Sequence, residues 1–439
     1  MIKYLKHWIA TGLCFLALSA GAQEKPERWD LQTCIAYARR ENIQIRQSRI
    51  ALDESLENTK EAKSQLLPSL GFASAQNYVN RPRPEAGDHH TYSGSYSLNA
   101  SVSLYQGGRL KKNLQQLNVQ NEVQELSVEE AENNIELAIT QAFVQILYAN
   151  EAVKINANTV EVSEAQRDRG RQLMEAGALS KADFAQLESQ YTSDKYQLVV
   201  ARAALENARL DLKQLLELDI DDRMELDIPD LSVQEVLSLL PSKEMIYRTS
   251  LQIMPEVKYH RLNIEIAGIQ KQKAWAGYLP TLGLSAGLGS SHSSGTGWNF
   301  GSQMKQNWSE NIGLTLSVPI FSNRSTRTAV NLAQLSIENA ELSYEGVRKD
   351  LLKSIENVYQ DAVSAQDRFR AATENLKAVE LSFQLTQEQF YLGMKNTLEM
   401  LTEKNNYLTA QQELIQAKYM AILNIQLLNF YQGKEITIK

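Results

Sequence analysis

The sequence predicts a mainly α fold with a small β part, built as two copies of one unit. Three observations predict it. Glycines and prolines concentrate at 68–94 and 277–319, no proline lies between Pro84 and Pro229, and none follows Pro319. Long stretches therefore carry nothing that breaks a helix. Period-two alternation, the mark of a strand with two unlike faces, is confined to four short segments beside those clusters. Finally, the chain repeats itself. Val102–Tyr105 (VSLY) returns as Val318–Phe321 (VPIF), and the same offset of 216 relates Gly177 to Gly393 and Tyr191 to Tyr407. Leu66–Gly71 (LLPSLG) returns as Tyr278–Gly283 (YLPTLG) at an offset of 212. Such a duplication has to be read before any fold is assigned.

Residues 1–22 read as a secretory signal peptide: Lys3 and Lys6, an apolar run from Trp8 to Leu18, then Ser19, Ala20, Gly21 and Ala22. Cleavage is expected after Ala22, and the run is too short to span a bilayer. Position 23 is Gln23, which offers no cysteine for lipid attachment. Cys14 leaves with the signal, so Cys34 is the only thiol of the mature chain and reads as a small packed hydrophobe. Net charge is −7 with no basic run, which argues against a nucleic-acid partner. No apolar stretch of 18 residues follows the signal, so no membrane helix is expected.

The first repeat, 23–218, opens with a helix from Asp30 to about Leu66 that Pro68 ends. A strand at about 70–80, a polar tip at Arg81–Thr91 and a second strand at 95–105 follow. In the second strand Tyr96, Leu98, Ala100, Val102 and Leu104 alternate with Ser95, Ser97, Asn99, Ser101 and Ser103. The span 108–176 has no proline and, after Gly108, one glycine, Gly170; a continuous helix there would be about 100 Å long. A helix at 181–218 carries Tyr191, Leu198, Leu205 and Leu212 seven apart.

The connector 219–242 is rich in aspartate, with a short helical segment at 233–240. The second repeat, 243–439, has a helix up to Gly277 that breaks near Pro255, strands at 281–290 and 311–320 around a tip at 291–308, a long helix at 324–392 and a helix at 397–430. Leu282, Leu284, Ala286 and Leu288 share one strand face; Ile312, Leu314, Leu316, Val318 and Ile320 share another. Along the long helix Ile355, Ala362, Phe369, Leu376, Phe383 and Phe390 lie seven apart, with Val358, Ala365, Ala372, Val379 and Thr386 between them. That period predicts a left-handed coiled coil. Leu401, Leu408, Ile415 and Ile422 extend it to the last helix.

Nothing in the chain reads as catalytic. The mature histidines His89, His90, His260 and His292 are scattered, and no metal spacing, nucleophile elbow or phosphate loop occurs, so neither an enzyme nor a cofactor is expected. Asp219, Asp221 and Asp222 lack the spaced ligands and turn glycine of a calcium loop. Two-faced strands of this length fit a soluble sandwich with one wet face or a tilted transmembrane barrel. Export and the absence of further strands favour the barrel. Leu98, Val102, Leu104, Leu284, Ile312, Leu314, Leu316 and Val318 would then face lipid, Ser101 and Thr315 would face water, and Tyr78, Tyr92, Tyr96 and Trp308 would sit at headgroup level. Roughly eight strands is the usual minimum for closure, so the barrel must be shared between subunits.

With LLPSLG, YLPTLG, VPIFSNR (318–324) and the paired turns GALSKADF (177–184) and GMKNTLEM (393–400) in this order, the mature chain resembles the TolC-like outer membrane efflux family. The resemblance implies a homotrimer in the outer membrane whose four strands per chain close a 12-stranded barrel. It implies long helices joined into a periplasmic α-barrel, and an exit duct for small molecules or proteins. The partners it implies are a periplasmic adaptor (membrane fusion protein) and an inner-membrane pump of RND, ABC or MFS class. It further implies a pore constriction at Asp183, Glu399 and Lys395, with Thr402 standing where the family often has another acid. Adaptor docking would fall at the turns around Gly177, Ser180, Gly393 and Asn396. The residues themselves support a plainer role. Both glycines suit the left-handed residue that ends a helix, and Asp183 and Glu399 stand three residues after Ser180 and Asn396, where a capping box places its acid. A passive porin or adhesin and a periplasmic coiled-coil scaffold are the rival functions. The helices are longer than a porin needs, and a scaffold has no use for the alternating strands.

Overall fold

The computed structural model describes residues 28–83, 89–229 and 236–438. The expected signal peptide lies outside the described residues, as do part of the first tip and part of the segment 233–240. The first copy of the unit runs α1 (Leu31–Glu41), α2 (Ile43–Ser64), β1 (Ser69–Asn80), β2 (His90–Gln106), α3 (Arg109–Glu175) and α4 (Lys181–Leu215). The second runs α5 (Lys243–Ile253), α6 (Pro255–Trp275), β3 (Thr281–Ser293), α7 (Phe300–Gln306), β4 (Ser309–Ser317), α8 (Ser325–Tyr391) and α9 (Thr397–Tyr431). α3 and α8 are 67 residues each, so both extend about 100 Å.

Several boundaries differ from expectation, each for a local reason. The first helix is interrupted at Asn42, whose side-chain oxygen accepts from Gln44 N (2.9 Å) while its amide donates to the Leu215 carbonyl (2.9 Å). β2 starts at His90, five residues early, because β1 pairs with it as far as Asn80–His90. β3 runs on to Ser293, where it pairs with Ser93. β4 ends at Ser317 rather than 320. Pro319 has no N–H to give a ladder, and Asn323 and Arg324 then turn the chain at φ of +46° and +65°. Val318 therefore lies outside the strand, a correction to its expected place on the β4 face. The tip at 291–308 holds a helix, α7, capped where Asn299 Oδ1 accepts from Ser302 N (2.8 Å).

The four strands form one antiparallel sheet in the order β1-β2-β3-β4. The helices follow the same order. Near the sheet α2 packs on α3, α3 on α6 and α6 on α8; toward the far end α4 packs on α3, α3 on α9 and α9 on α8. The main core sits midway, where Ile139, Phe143 and Leu147 of α3 meet Leu212 of α4, Phe369 of α8 and Ile415 and Ile422 of α9. Cys34 is buried in that core. Burial, with Asp30 beside it, pushes its thiol up to about 12, which keeps it inert. Of the α8 heptad, Ile355, Ala362, Phe369, Phe383 and Phe390 are buried and Leu376 is half-buried.

The duplication extends to side chains. Tyr191 donates to Glu164 Oε1 (3.1 Å) across the α3–α4 pair, and Tyr407 donates to Glu380 Oε1 (3.4 Å) across the α8–α9 pair. Both the acids and the tyrosines are 216 residues apart.

Candidate functional site

Two regions carry the sequence-derived site residues: the sheet and the two turns at the opposite end. In the sheet, cross-strand partners share a face, so the register sorts the side chains. Leu98 stands opposite Phe72 on one side and Leu288 on the other. Val102 pairs with Leu284, which pairs with Leu314; Leu282 pairs with Leu316, and Ala286 with Ile312. These form one apolar face, and Ile312, Leu314 and Leu316 are 83%, 65% and 64% exposed on it. Ser101, Ser285 and Gly313 line up on the other face, as do Ser103, Gly283 and Thr315. Leu104 is the exception. A bulge between Ser103 and Tyr105 leaves it without a strand partner, and Tyr105 takes the place opposite Leu282. Val318, though 56% exposed, follows the last residue of β4. At the tip end of the sheet Tyr78 stacks on His90, and Tyr92 and Tyr96 lie against the His292 ring.

The far turns are near-identical. Gly177 and Gly393 both take φ of +73°. Ala178 N donates to Leu173 O (2.8 Å) and Gly177 N to Met174 O (3.0 Å); Met394 N and Gly393 N make the equivalent bonds to Gln389 O and Phe390 O. Both are Schellman turns, which need a left-handed residue. Apart from the adjoining residues, no described atom lies within 4 Å of a β-carbon built at either glycine. Gly177→Ala or Gly393→Ala should therefore cost backbone strain alone, about 1–2 kcal/mol, seen as a lowered thermal midpoint.

After the turns, the two caps diverge. Ser180 Oγ accepts from Asp183 N (3.0 Å) and donates back to Asp183 Oδ2 (2.6 Å). At the second turn Asn396 Oδ1 accepts from Glu399 N (2.8 Å) and Glu399 Oε2 accepts from Asn396 N (3.0 Å), a full capping box. Lys395 Nζ adds a bond to Glu399 Oε1 (2.8 Å). Thus Lys395 and Glu399 come together on one turn, and Asp183 belongs to the other. The Lys395 ammonium and then the Asn396 N–H hold the Glu399 carboxyl below its ordinary 4.5. A carboxyl depressed in the fold gives stability above its unfolded pKa and loses it as pH falls through the folded value. Acidification below 4.5 should therefore loosen the α9 start, raising hydrogen exchange at Thr397–Glu399, and Glu399→Gln should abolish that acid step.

Behind the turns Leu187, Phe383, Phe390, Met400 and Leu401 form a small core. Above it lies a feature the sequence reading missed. Lys404 of α9 and Asp194 of α4 form a salt bridge with side chains 3% and 4% exposed, and Gln190 Nε2 donates to Asp194 Oδ1 (2.8 Å). A signal was present: Asp194 lies three residues after Tyr191, and Lys404 three after Leu401, so opposite charges occupy core positions of two heptads. Among the described residues no group of three or more His, Cys, Asp or Glu could hold a metal.

The geometry has counterparts. VceC, an outer membrane protein of Vibrio cholerae, superposes with a TM-score of 0.75 at 16% identity, covering 93% of this chain and 97% of the other. CusC, described as forming a transmembrane channel, gives a TM-score of 0.80 at 16% identity, covering 92% of each chain. In sequence, the outer membrane protein TolC of Escherichia coli is 24% identical over 428 residues, 95% of this chain and 84% of its own. The pattern of the outer membrane efflux proteins matches residues 35–217 and 246–432, one stretch in each repeat. The chain belongs to the outer membrane efflux protein family.

Proposed function

We propose that the chain is one third of a homotrimeric exit duct, anchored in the outer membrane and reaching through the periplasm. One observation carries this reading: the sheet and the helix layer are open at the same two edges. Among the described residues β1 and β4 each have one unpaired side. Beneath them, α2 exposes Ile43, Ile50 and Leu56, and α8 exposes Leu332, Leu335 and Leu342. Farther down, α4 exposes Tyr196, Val199 and Leu210, and α8 exposes Leu381 and Leu385. Bare strand edges and apolar helix faces are both costly in water. A ring of identical chains covers every one of them, joining β1 to β4 and α2 or α4 to α8. Three chains of four strands make a 12-stranded barrel, with Leu98, Val102, Leu284, Ile312, Leu314 and Leu316 toward lipid and Ser101 and Thr315 toward the lumen.

The far turns then meet around the threefold axis. Asp183, Glu399 and Lys395 would line the narrow end there, in addition to capping their helices. The surface around Gly177, Ser180, Gly393 and Asn396 would receive a periplasmic adaptor that links the duct to an inner-membrane pump of RND, ABC or MFS class. Exposed Leu392, Met394 and Leu398 supply apolar contact area for it. Substrate choice would lie with the pump. Detergent-extracted protein, unboiled, should run at about three times the chain mass and form channels in planar bilayers. Asp183→Ala and Glu399→Ala should widen the conductance or lower cation selectivity. A stable detergent-soluble monomer overturns the duct, while unchanged conductance in both variants leaves the acids as caps only.

A further inference from the structure

Where the sheet meets the helices, the charge balance of the chain inverts. The whole chain is −7, yet three of the four segments that meet there, 106–121, 266–281 and 317–337, contain Arg109, Lys111, Lys112, Lys271, Lys273, Arg324 and Arg327 and no acidic residue; the end of α2 that leads into β1 carries Glu61. Among the three acid-free segments lies a cavity of about 490 Å³, lined by Arg109, Lys273, Thr281, Ser317, Ser325 and Thr326 and, among the described residues, by no carboxylate. Lys273 Nζ donates to Asn113 Oδ1 (2.7 Å) and Gln116 Oε1 (2.9 Å), and Arg109 Nη2 donates to Gln106 Oε1 (2.9 Å). Neutral amides thus fix both cations in place without cancelling their charge. Burial first, and then the Arg109 charge, push the Lys273 ammonium below its ordinary value. Two like charges beside one cavity repel each other until an anion stands between them.

The register fixes the side on which the cavity opens. Gln106, Thr281 and Ser317 are mutual strand partners on the polar face, whereas Tyr105, Leu282 and Leu316 are partners on the apolar face. The lining includes the polar set and excludes the apolar one.

We propose that this cavity binds the phosphate, sulfate or carboxylate group of a dissolved solute. Guanidinium, ammonium and hydroxyl donors without a competing acceptor are what an oxyanion requires. A lipid headgroup would approach from the apolar face, on the far side of the sheet. This assignment rests on the duct reading in that the polar face lines the lumen. In a trimer three such sites would ring the base of the barrel, a station for anionic cargo.

The test is calorimetric titration of the full chain, in nanodiscs of zwitterionic lipid, with inorganic pyrophosphate. Binding is expected, and the Arg109→Gln/Lys273→Met pair should weaken it by about tenfold or more. Lys273→Met alone, which keeps the Arg109–Gln106 bond, should give a smaller loss. Lys271→Met removes one charge from the same region but lies outside the lining, its Nζ held by Gln334 Oε1 (2.7 Å). It should leave affinity within about twofold. Three results overturn the proposal: no binding to the wild-type chain, an equal loss in Lys271→Met, or anionic phosphatidylglycerol in the disc displacing pyrophosphate from Arg109 and Lys273. Oligomer mass and conductance, read separately, decide the duct itself.

Discussion

Asp194→Ala and Lys404→Ala should each destabilise the folded protein by about 3–5 kcal/mol. The two side chains are 4% and 3% exposed, so removing either leaves a charge in a dry seam between α4 and α9. Burial is the dominant influence on Lys404 and pushes its ammonium down, against the hydrogen bond and charge of Asp194. The pair is therefore tolerated rather than strongly favourable. The double variant Asp194→Leu/Lys404→Met should recover most of the loss, because an apolar pair of similar volume carries no desolvation cost. Thermal midpoints of the two single variants and the double would show the coupling. Additive losses, with no recovery in the double, would sink this account.

Leu314→Arg should block assembly in the membrane. Leu314 is 65% exposed, sits in the middle of β4 and pairs with Leu284 on the apolar face. If that face meets lipid, a cation there costs about 2–4 kcal/mol per chain near the bilayer midplane, and every copy in the ring carries it. Thr315→Arg is the matched control, since Thr315 pairs with Gly283 on the polar face. The readout is the yield of heat-resistant oligomer in extracted outer membranes. Loss with Leu314→Arg and retention with Thr315→Arg is the expected result; the reverse order would exchange the lipid and water faces.

Much of this architecture is local and therefore legible in the residues. The absence of proline, with a single glycine in each stretch, from 109 to 175 and from 325 to 391 fixes two long helices, because each turn is closed by bonds four residues apart. Alternation at Ser95–Tyr105 fixes the two faces of β2, and glycine at 177 and 393 fixes the turns, since only a residue without a β-carbon sits easily at φ of +73°. The duplication predicts that whatever holds one hairpin holds the other, and the paired bonds Tyr191–Glu164 and Tyr407–Glu380 follow it.

The rest depends on partners far apart in the chain. A heptad says that a helix has a seam but not which helix fills it, so only the meeting of α4 and α9 puts Asp194 and Lys404 together out of water. Strand register between β2 and β3, about 180 residues apart in the chain, set the bulge that displaced Leu104. The acid-free cavity needed three segments, none basic enough alone to be noticed, folded against one another. Short-range sterics and hydrogen bonds determined the elements and their faces. Tertiary structure decided which charges lost their water, because desolvation depends on neighbours that no single segment contains.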